Sequence, residues 1–233
     1  MRLLQFELFG DYAHFKKFYT TSSPLTFSFP PPPTIKGMIG AILGLEKTEY
    51  LNVLTSSRCK VGISVVSQVK RVRVGLNHIN TKGGYWGLKL GRTQIRTELL
   101  KDPRFMVYIW LADDTLCNQL ENYLKAHETY FTLSLGLSEY LADFRWIGSL
   151  SAQYEENVSG EICSIIPIAE LNNGNFHLEP GKHFTKERIP VEMNQNRVVS
   201  LYQDVMFEAN GKSFHSLARR IWNIGSEKYV YLF

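Results

Sequence analysis

The chain has 233 residues, of which 44% are hydrophobic and 21% are charged, and its formal net charge is +4. These values are ordinary for a folded soluble protein of one or two domains. No basic and apolar leader opens the sequence, and no apolar run approaches the roughly 20 residues of a membrane span. We therefore expect a cytoplasmic protein without a membrane partner.

The first predicted elements are a strand and a glycine-rich helix. Leu3 to Phe9 alternates as a strand does, and after a polar loop the prolines at 30–33 hold the backbone extended. Thr34 is a good N-cap, so the helix should begin at about Ile35. Lys36, Gly37, Gly40 and Gly44 form the close-approach segment of this helix. Because the three glycines are spaced three and four apart, we expect another part of the structure or a partner to approach their face closely.

The next segment is strongly basic. No Asp or Glu lies between Glu49 and Glu98. A solvated surface normally mixes both signs of charge, so this block favours a polyanionic partner. Residues 60–74 are predicted as one long strand, on which Arg71 and Arg73 face one way and Val72 and Val74 the other. A glycine-rich excursion over residues 75–91 carries Tyr85 and Trp86.

A return strand is predicted from Thr93 to Leu111, interrupted near residues 101–103. Asp113 or Asp114 should cap a helix that runs to about Ala126 and buries Leu116, Leu120 and Leu124. A further strand is predicted over residues 144–150. The order predicts an α+β fold of the ferredoxin-like βαββαβ type, which RNA-recognition modules also use.

The remainder of the chain is predicted to be a small β-rich appendage. Short strands are expected at residues 163–169, 197–207 and 228–233, and Asn210-Gly211 is the best hairpin-type turn signal. The predicted domains are residues 1–155 and residues 156–233. Cys59, Cys117 and Cys163 are odd in number and far apart, which argues against a disulfide framework or a zinc site. We expect no metal and no cofactor.

Several motifs carry a family resemblance. The opening segment Arg2 to Gly10, Ala13 to Lys17, the Pro-Pro-Pro-Pro-Thr-Ile-Lys-Gly turn and Gly40-Ala-Ile-Leu-Gly44 resemble the N-terminal signature of the CRISPR-associated family numbered five. This family comprises RAMP-type subunits of type I interference (Cascade) complexes, and the chain is most similar to its type I-B branch. Residues 135–142 resemble a second block of the family more loosely.

The resemblance implies a structural RNA-binding role in antiviral defence. Family members cap the surveillance complex by gripping the repeat-derived 5′ handle of the guide RNA (crRNA). A long β-hairpin, the thumb, leans onto the neighbouring backbone subunit, and the large subunit that recognises target DNA lies alongside. Sequence reading is left to guide pairing. In this chain the thumb would be residues 68–94.

The candidate RNA-binding residues are basic or aromatic, because cations neutralise phosphates and aromatic rings stack on bases. They are Lys16, Lys17, Lys70, Arg71, Arg73, Lys82, Tyr85, Trp86, Lys89, Arg92, Arg96 and Arg145. Lys16 and Lys17 belong to a weaker patch with His14, Phe15 and Tyr19, for which an ordinary surface loop is the simpler interpretation.

Two alternatives to a CRISPR binding subunit stay open. One branch of the family cleaves precursor CRISPR RNA without metal, using a tyrosine near the first helix with a lysine and a histidine. Tyr50 and the Lys182-His183 pair supply these residue types, but the pair does not match that branch's motif. We therefore predict no catalytic residue, with a metal-independent endoribonuclease as the alternative. The third possibility is a generic RNA-recognition binder outside CRISPR.

Overall fold

The fold is α+β and is built mainly from strands. The computed structural model describes residues 1–20, 22–79, 92–171 and 179–233. The helices are α1 (Pro32–Leu43), α2 (Tyr50–Val53), α3 (Asp114–Ala126) and a 3-10 turn (Ile168–Glu170). The first strands are β1 (Arg2–Phe9), β2 (Tyr12–Ala13), β3 (Cys59–Val65), β4 (Lys70–Ile79), β5 (Arg92–Lys101), β6 (Arg104–Leu111) and β7 (Asp143–Ser151). The later strands are β8 (Gln153–Ile162), β9 (Ile166–Pro167), β10 (Phe184–Met193), β11 (Val199–Glu208), β12 (Phe214–Asn223) and β13 (Lys228–Val230).

A four-stranded sheet with the order β3-β6-β1-β7 forms the centre of the protein, and all of its neighbouring strands are antiparallel. One face of this sheet packs against α1 and α3. Phe6 of β1 is 2% exposed and belongs to the same buried cluster as Ile39 of α1 and Leu120 of α3. The alternation of β1 therefore directs every second side chain into the helical layer.

The other face of the central sheet is covered by the C-terminal strands. Leu3 and Tyr108 point to this side and belong to a second buried cluster with Trp222 and Leu232. A Cβ atom at Gly62 of β3 would lie 2.8 Å from a side-chain carbon of Leu232, so the two layers are in tight contact. Strands β8, β12 and β13 pair with one another above this face.

A third sheet, with the order β10-β11-β9, closes the helical side. Ile189, Val205 and Phe207 of this sheet are fully or almost fully buried in the cluster that contains α1. Phe29, which precedes α1, makes an edge-to-face contact with Phe207 at 5.2 Å between ring centroids. The C-terminal third of the chain thus packs on both faces of the central sheet. Strand β8 crosses the predicted boundary at residue 155, and the division into two domains stays a prediction.

The helix after the hairpin is confirmed. The Asp113 side chain accepts hydrogen bonds from the backbone N–H groups of Thr115 and Leu116, as an N-cap does. The predicted strand near residues 144–150 is β7, and the interruption near residues 101–103 separates β5 from β6. Leu120 and Leu124 are buried, whereas Leu116 is only partly buried.

The predicted start of the first helix is wrong. Helix α1 begins at Pro32, Pro31 is its N-cap, and no side chain caps it. Prolines are tolerated in the first helical turn because its N–H groups have no partner within the helix. Thr34 already lies inside the helix, where its backbone N–H donates to Pro31 O at 2.9 Å.

The long strand predicted for residues 60–74 is two strands. Strand β3 ends at Val65, and the backbone N–H groups of Val66 and Val69 donate to Arg104 O and Ala209 O. The bond from Val66 continues the pairing with β6, whereas the bond from Val69 lies outside the central sheet, and β4 then pairs with β5. The hairpin itself was correctly predicted.

Two further expectations for the C-terminal region are wrong. Residues 163–169 form only the two-residue strand β9 and part of the 3-10 turn, while β10 and β12 were not predicted. The Asn210-Gly211 turn exists, with a left-handed φ of 79° at Gly211, but it joins strands of different sheets. A Cβ at Gly211 would lie 2.6 Å from Val66 O, so the glycine allows a close approach between chain segments.

The glycines of α1 face tyrosines of the protein itself. A Cβ at Gly40 would lie 2.9 Å from Tyr50 Cβ, whereas one at Gly37 would reach Tyr50 only at an ordinary 3.8 Å. Gly44 lies past the helix end as its left-handed C-cap, with φ 75°, and Tyr130 packs against it. The three glycines therefore do not form one helical face, and at Gly40 the close approach is core packing.

Substitution by alanine should change the free energy of unfolding differently at Gly37 and at Gly40. Gly37→Ala should raise the free energy of unfolding by up to about 1 kcal/mol, because alanine has the higher helix propensity and meets no close atom. Gly40→Ala should be about 1–3 kcal/mol less stable than Gly37→Ala, because Tyr50 must move to admit the new methyl group. Urea denaturation of both variants measures this difference. Equal stabilities would show that Tyr50 is not held against α1.

Candidate nucleic-acid interface

The β4–β5 hairpin places four arginines on one face. Its register pairs Arg73 with Glu98, Gly75 with Arg96 and Ile79 with Arg92. Residues that stand opposite each other in an antiparallel pair point to the same face of the sheet, and side chains alternate along each strand. The basic face of the hairpin is therefore formed by Arg71, Arg73, Arg92 and Arg96, as the alternation around residue 72 predicted for the first two.

The second face of the hairpin is apolar along its middle. Val72, Val74, Leu76 and Ile95 lie on this side, and Val74 is 37% exposed. Strand β2 pairs only with the base of β5, so the outer part of the hairpin has two strands in the described part of the chain. An isolated two-stranded hairpin is marginally stable in water, so the outer part of this one depends on its base for support.

The base of the hairpin is fixed to the protein by Glu187 of β10. The Glu187 side chain is 5% exposed, and its carboxylate accepts hydrogen bonds from Arg71 at 3.0 Å and from the Ser28 hydroxyl at 2.7 Å. Lys17 lies 3.4 Å from the same carboxylate. Arg71 thus anchors the hairpin through Glu187, and Lys17, also a candidate RNA ligand, adds its charge beside the same carboxylate.

The carboxylate of Glu98 lies near two of the four arginines on the basic face. Glu98 lies 3.8 Å from Arg71 and 4.0 Å from Arg73. Arg92 and Arg96 are exposed, and neither has a carboxylate within ion-pair distance among the described residues. Since Arg73 also keeps 72% of its side-chain surface exposed, the cations free for phosphate contact lie towards the outer part of the hairpin.

Lys70 faces a like charge that the sequence interpretation missed. Lys70 and Lys101 stand directly opposite each other at the base of the hairpin, and both are exposed. Like charges in this arrangement are destabilising unless an anion lies between them. Lys101 was not predicted as a site residue, because the basic segment was taken to end at Glu98. The pairing of β4 with β5 brings Lys101 beside that segment.

Arg145 belongs to a different group on the central sheet. Glu7 of β1 is 3% exposed and accepts hydrogen bonds from Arg145 at 2.6 Å and from Arg104 at 2.9 Å. Arg104 was not predicted as a site residue. Both arginines keep about half or more of their side-chain surface exposed, so they offer further donors beside the paired carboxylate.

The remaining candidates are scattered. Lys16 is exposed and forms an isolated bridge with Thr26, but His14 and Phe15 are buried, so the predicted patch at residues 14–19 is not a continuous surface. His14 Nδ1 lies 2.8 Å from Glu98 O. The predicted ligands Lys82, Tyr85, Trp86 and Lys89 lie outside the described residues.

Lys36 is buried instead of presented on a surface. It is 5% exposed, and its amine donates a hydrogen bond to the Ser56 hydroxyl at 3.2 Å. Burial lowers the pKa of Lys36, and the nearby Cys59 and Glu192 partly oppose this effect.

Other chemistry is sparse in the described ranges. They contain no group of three or more His, Cys, Asp or Glu residues placed to hold a metal ion. None of their helices is long and apolar enough to cross a membrane. The three cysteines are free thiols; Cys59 and Cys117 are buried, and Cys163 is partly buried.

Comparison with known families identifies the relatives of this chain. The family model described as CRISPR-associated protein (Cas_Cas5) matches residues 3–198. The chain belongs to the CRISPR-associated Cas5 family. No curated protein sequence is significantly similar to this Cas5 chain.

Solved structures share its fold. A chain of a CRISPR RNA-guided surveillance complex superposes with a TM-score of 0.57 at 12% identity, covering 93% of this chain and 91% of that one. A CRISPR protein from Archaeoglobus fulgidus gives a TM-score of 0.60 at 11% identity, covering 99% and 98%. At these identities the likeness concerns the fold alone.

Arg71 and Arg96 should differ in their effect on stability. Arg71→Gln should lower the free energy of unfolding by about 1–3 kcal/mol, because Glu187 is left buried without its strongest partner. Arg96→Gln should change it by less than about 0.5 kcal/mol, since the side chain is exposed and unpaired in the described structure. Thermal and urea denaturation of both variants tests this, and an equal effect would contradict the anchoring role.

Proposed function

We propose that this Cas5 protein is a structural RNA-binding subunit of a type I CRISPR surveillance complex. In this role it holds the 5′ handle of the crRNA and bridges the backbone and large subunits near the target DNA. The observation that carries the proposal is the hairpin face on which Arg92 and Arg96 are exposed and have no carboxylate partner among the described residues. Paired cations such as Arg71 are already satisfied, whereas unpaired ones retain their donors for phosphate oxygens.

The strand order supports a ferredoxin-like core. In chain order the four central strands are β1, β3, β6 and β7, with α1 after the first and α3 after the third. Their spatial order, β3-β6-β1-β7 with antiparallel neighbours, is that expected for a βαββαβ unit. We infer this arrangement for the core of the protein.

RNA binding in this protein differs from that of RNA-recognition modules. Those modules stack bases on an open sheet face. Here Leu3 and Tyr108 of that face are buried under Trp222 and Leu232. The guide RNA is therefore directed to the hairpin, where the arginine face contacts the RNA and the apolar face of Val74 and Leu76 contacts the neighbouring backbone subunit.

No observation in the described residues favours the endoribonuclease alternative. Tyr50 is 9% exposed and lines a cavity of about 420 Å³ with Gly37 and Arg197. Neither Lys182 nor His183 lines that cavity. Lys182 instead pairs with Glu179. A general acid or base must reach the proton it transfers, so these residues do not form a common site as they stand.

Removal of the free arginines should weaken RNA binding and reduce its salt dependence. The double variant Arg92→Gln/Arg96→Gln should bind handle RNA at least tenfold more weakly at moderate salt. Its slope of log affinity against log salt should be smaller by about 1–1.5, because each lost phosphate contact removes about 0.7 for single strands. Filter binding over a range of salt concentrations measures both quantities.

The matched control removes two exposed arginines elsewhere. Arg58 and Arg219 are exposed and have no carboxylate partner in the part of the chain that is described. Arg58→Gln/Arg219→Gln changes the net charge equally and should alter affinity by less than about twofold. Equal losses in the two double variants would show that only total charge matters and would remove the hairpin from the RNA site.

The function itself is tested with labelled RNA. Purified protein should bind the repeat-derived 5′ handle more tightly than a scrambled RNA of equal length, in EDTA, and a gel should show intact RNA afterwards. One discrete cut in repeat RNA would replace this proposal with the endoribonuclease. Equal binding of both RNAs would indicate a generic basic binder.

A further inference from the structure

Lys36 is a buried amine that forms no ion pair among the described residues. Its ammonium group has three N–H donors, of which one is used by Ser56. No described carboxylate lies within ion-pair distance of it, although Glu192 is near enough to raise its pKa. The closest sulfur neighbour, Cys59, gives no compensating charge, because burial raises the pKa of its thiol to about 12. Because burial disfavours the charged form of this amine, an anion that joined it would stabilise that form.

Lys36 lines a pocket. A pocket of about 540 Å³ is bounded by α1, by the segment that follows α2, and by the end of β10 with the turn after it. Lys36 and three consecutive hydroxyl residues, Thr55, Ser56 and Ser57, line it. A cation beside hydroxyl donors is the chemistry that recognises a phosphate group.

Other parts of the same wall carry amide side chains. Asn52 and the turn residues Asn194, Gln195 and Asn196 all line the pocket. The backbone N–H of Val198 donates a hydrogen bond to Asn194 Oδ1 at 3.0 Å, and this bond fixes the turn. Side-chain amides both donate and accept, so they suit the edge of a nucleobase.

Glu192 limits which anion fits. It lines this pocket and also a neighbouring one of about 580 Å³, and Ser56 and Val191 are shared by both. Its carboxylate opposes a ligand with several phosphates, but it can accept hydrogen bonds from sugar hydroxyls, as acidic residues do in nucleotide sites. In the neighbouring pocket Gln203 Oε1 is buried and accepts no hydrogen bond from the described residues.

We propose that the pocket around Lys36 binds one nucleoside monophosphate unit, with its phosphate at Lys36 and Ser56 and its ribose at Glu192. The amides of residues 194–196 then face the base. The unit is either a free nucleotide or one nucleotide of an RNA chain, and the second source rests on the proposed function.

Calorimetric titration of the full chain with AMP, CMP, GMP and UMP tests the site, with adenosine as the ligand that lacks phosphate. At least one monophosphate should bind saturably, and adenosine should bind at least tenfold more weakly than AMP. Lys36→Met should weaken monophosphate binding at least tenfold. Lys47→Met is the matched control, because Lys47 is exposed and lines neither pocket. The affinity of this variant for monophosphates should stay within twofold of the wild type.

The stability and affinity of the Lys36 variants distinguish a ligand-binding lysine from a purely structural one. Without ligand, Lys36→Met should melt at the wild-type temperature or above it, since a buried charge is removed. Lys36→Gln, which retains a donor for Ser56, should also stay folded and should still bind monophosphates at least tenfold more weakly than the wild type. Absence of saturable binding of all four monophosphates to the wild type would overturn the proposal, and so would unchanged affinity in both Lys36 variants.

Competition identifies the source of the nucleotide. If the bound monophosphate displaces labelled handle RNA, the pocket holds a nucleotide of that RNA; if both bind together, it holds a free nucleotide. Monophosphate binding without handle binding would leave this site standing and reject the proposed function. Handle binding that is unchanged in Lys36→Met, with no monophosphate binding, would reject this site alone.

Discussion

The buried carboxylate of Glu187 holds together three parts of the chain that are far apart in sequence. Its oxygens accept hydrogen bonds from Ser28, before α1, and from Arg71, at the base of the hairpin, while Lys17 lies nearby. A carboxylate that is 5% exposed is costly unless it is paired and hydrogen-bonded. Because these partners satisfy it together, the hairpin leaves the protein in a fixed direction, and the arrangement of its arginines depends on this contact.

The charges of the hairpin are therefore of two kinds. Near the base, Glu187 and Glu98 pair with Arg71, so this cation contributes mainly to structure, whereas Arg73 lies 4.0 Å from Glu98 and keeps 72% of its side-chain surface exposed. Further out, Arg92 and Arg96 have no such partner in the described ranges. A uniformly basic hairpin would repel itself along its whole length; the two carboxylates lower this repulsion on the arginine face near the base.

Local sequence patterns predicted much of the secondary structure. Alternation of Val72 and Arg73 predicted the faces of the hairpin, and Asp113 predicted the start of α3, because both signals act between neighbours in the chain. The role of Arg71 was not predictable, since its partner Glu187 lies 116 residues away. Burial of Lys36 was equally hidden, because α1 packs against β10, which lies about 150 residues further along the chain.

The connection between β5 and β6 has a mechanical consequence. Only Asp102 and Pro103 separate the two strands, and Asp102 adopts a left-handed φ of 49°. Strand β6 lies between β3 and β1 in the central sheet. The ten residues of β5 form an arm of roughly 33 Å, and a short turn joins it to an interior strand. A load on the far end of the hairpin therefore acts on an interior strand of the central sheet, where hydrogen bonds on both sides resist displacement, instead of on a loosely held edge strand.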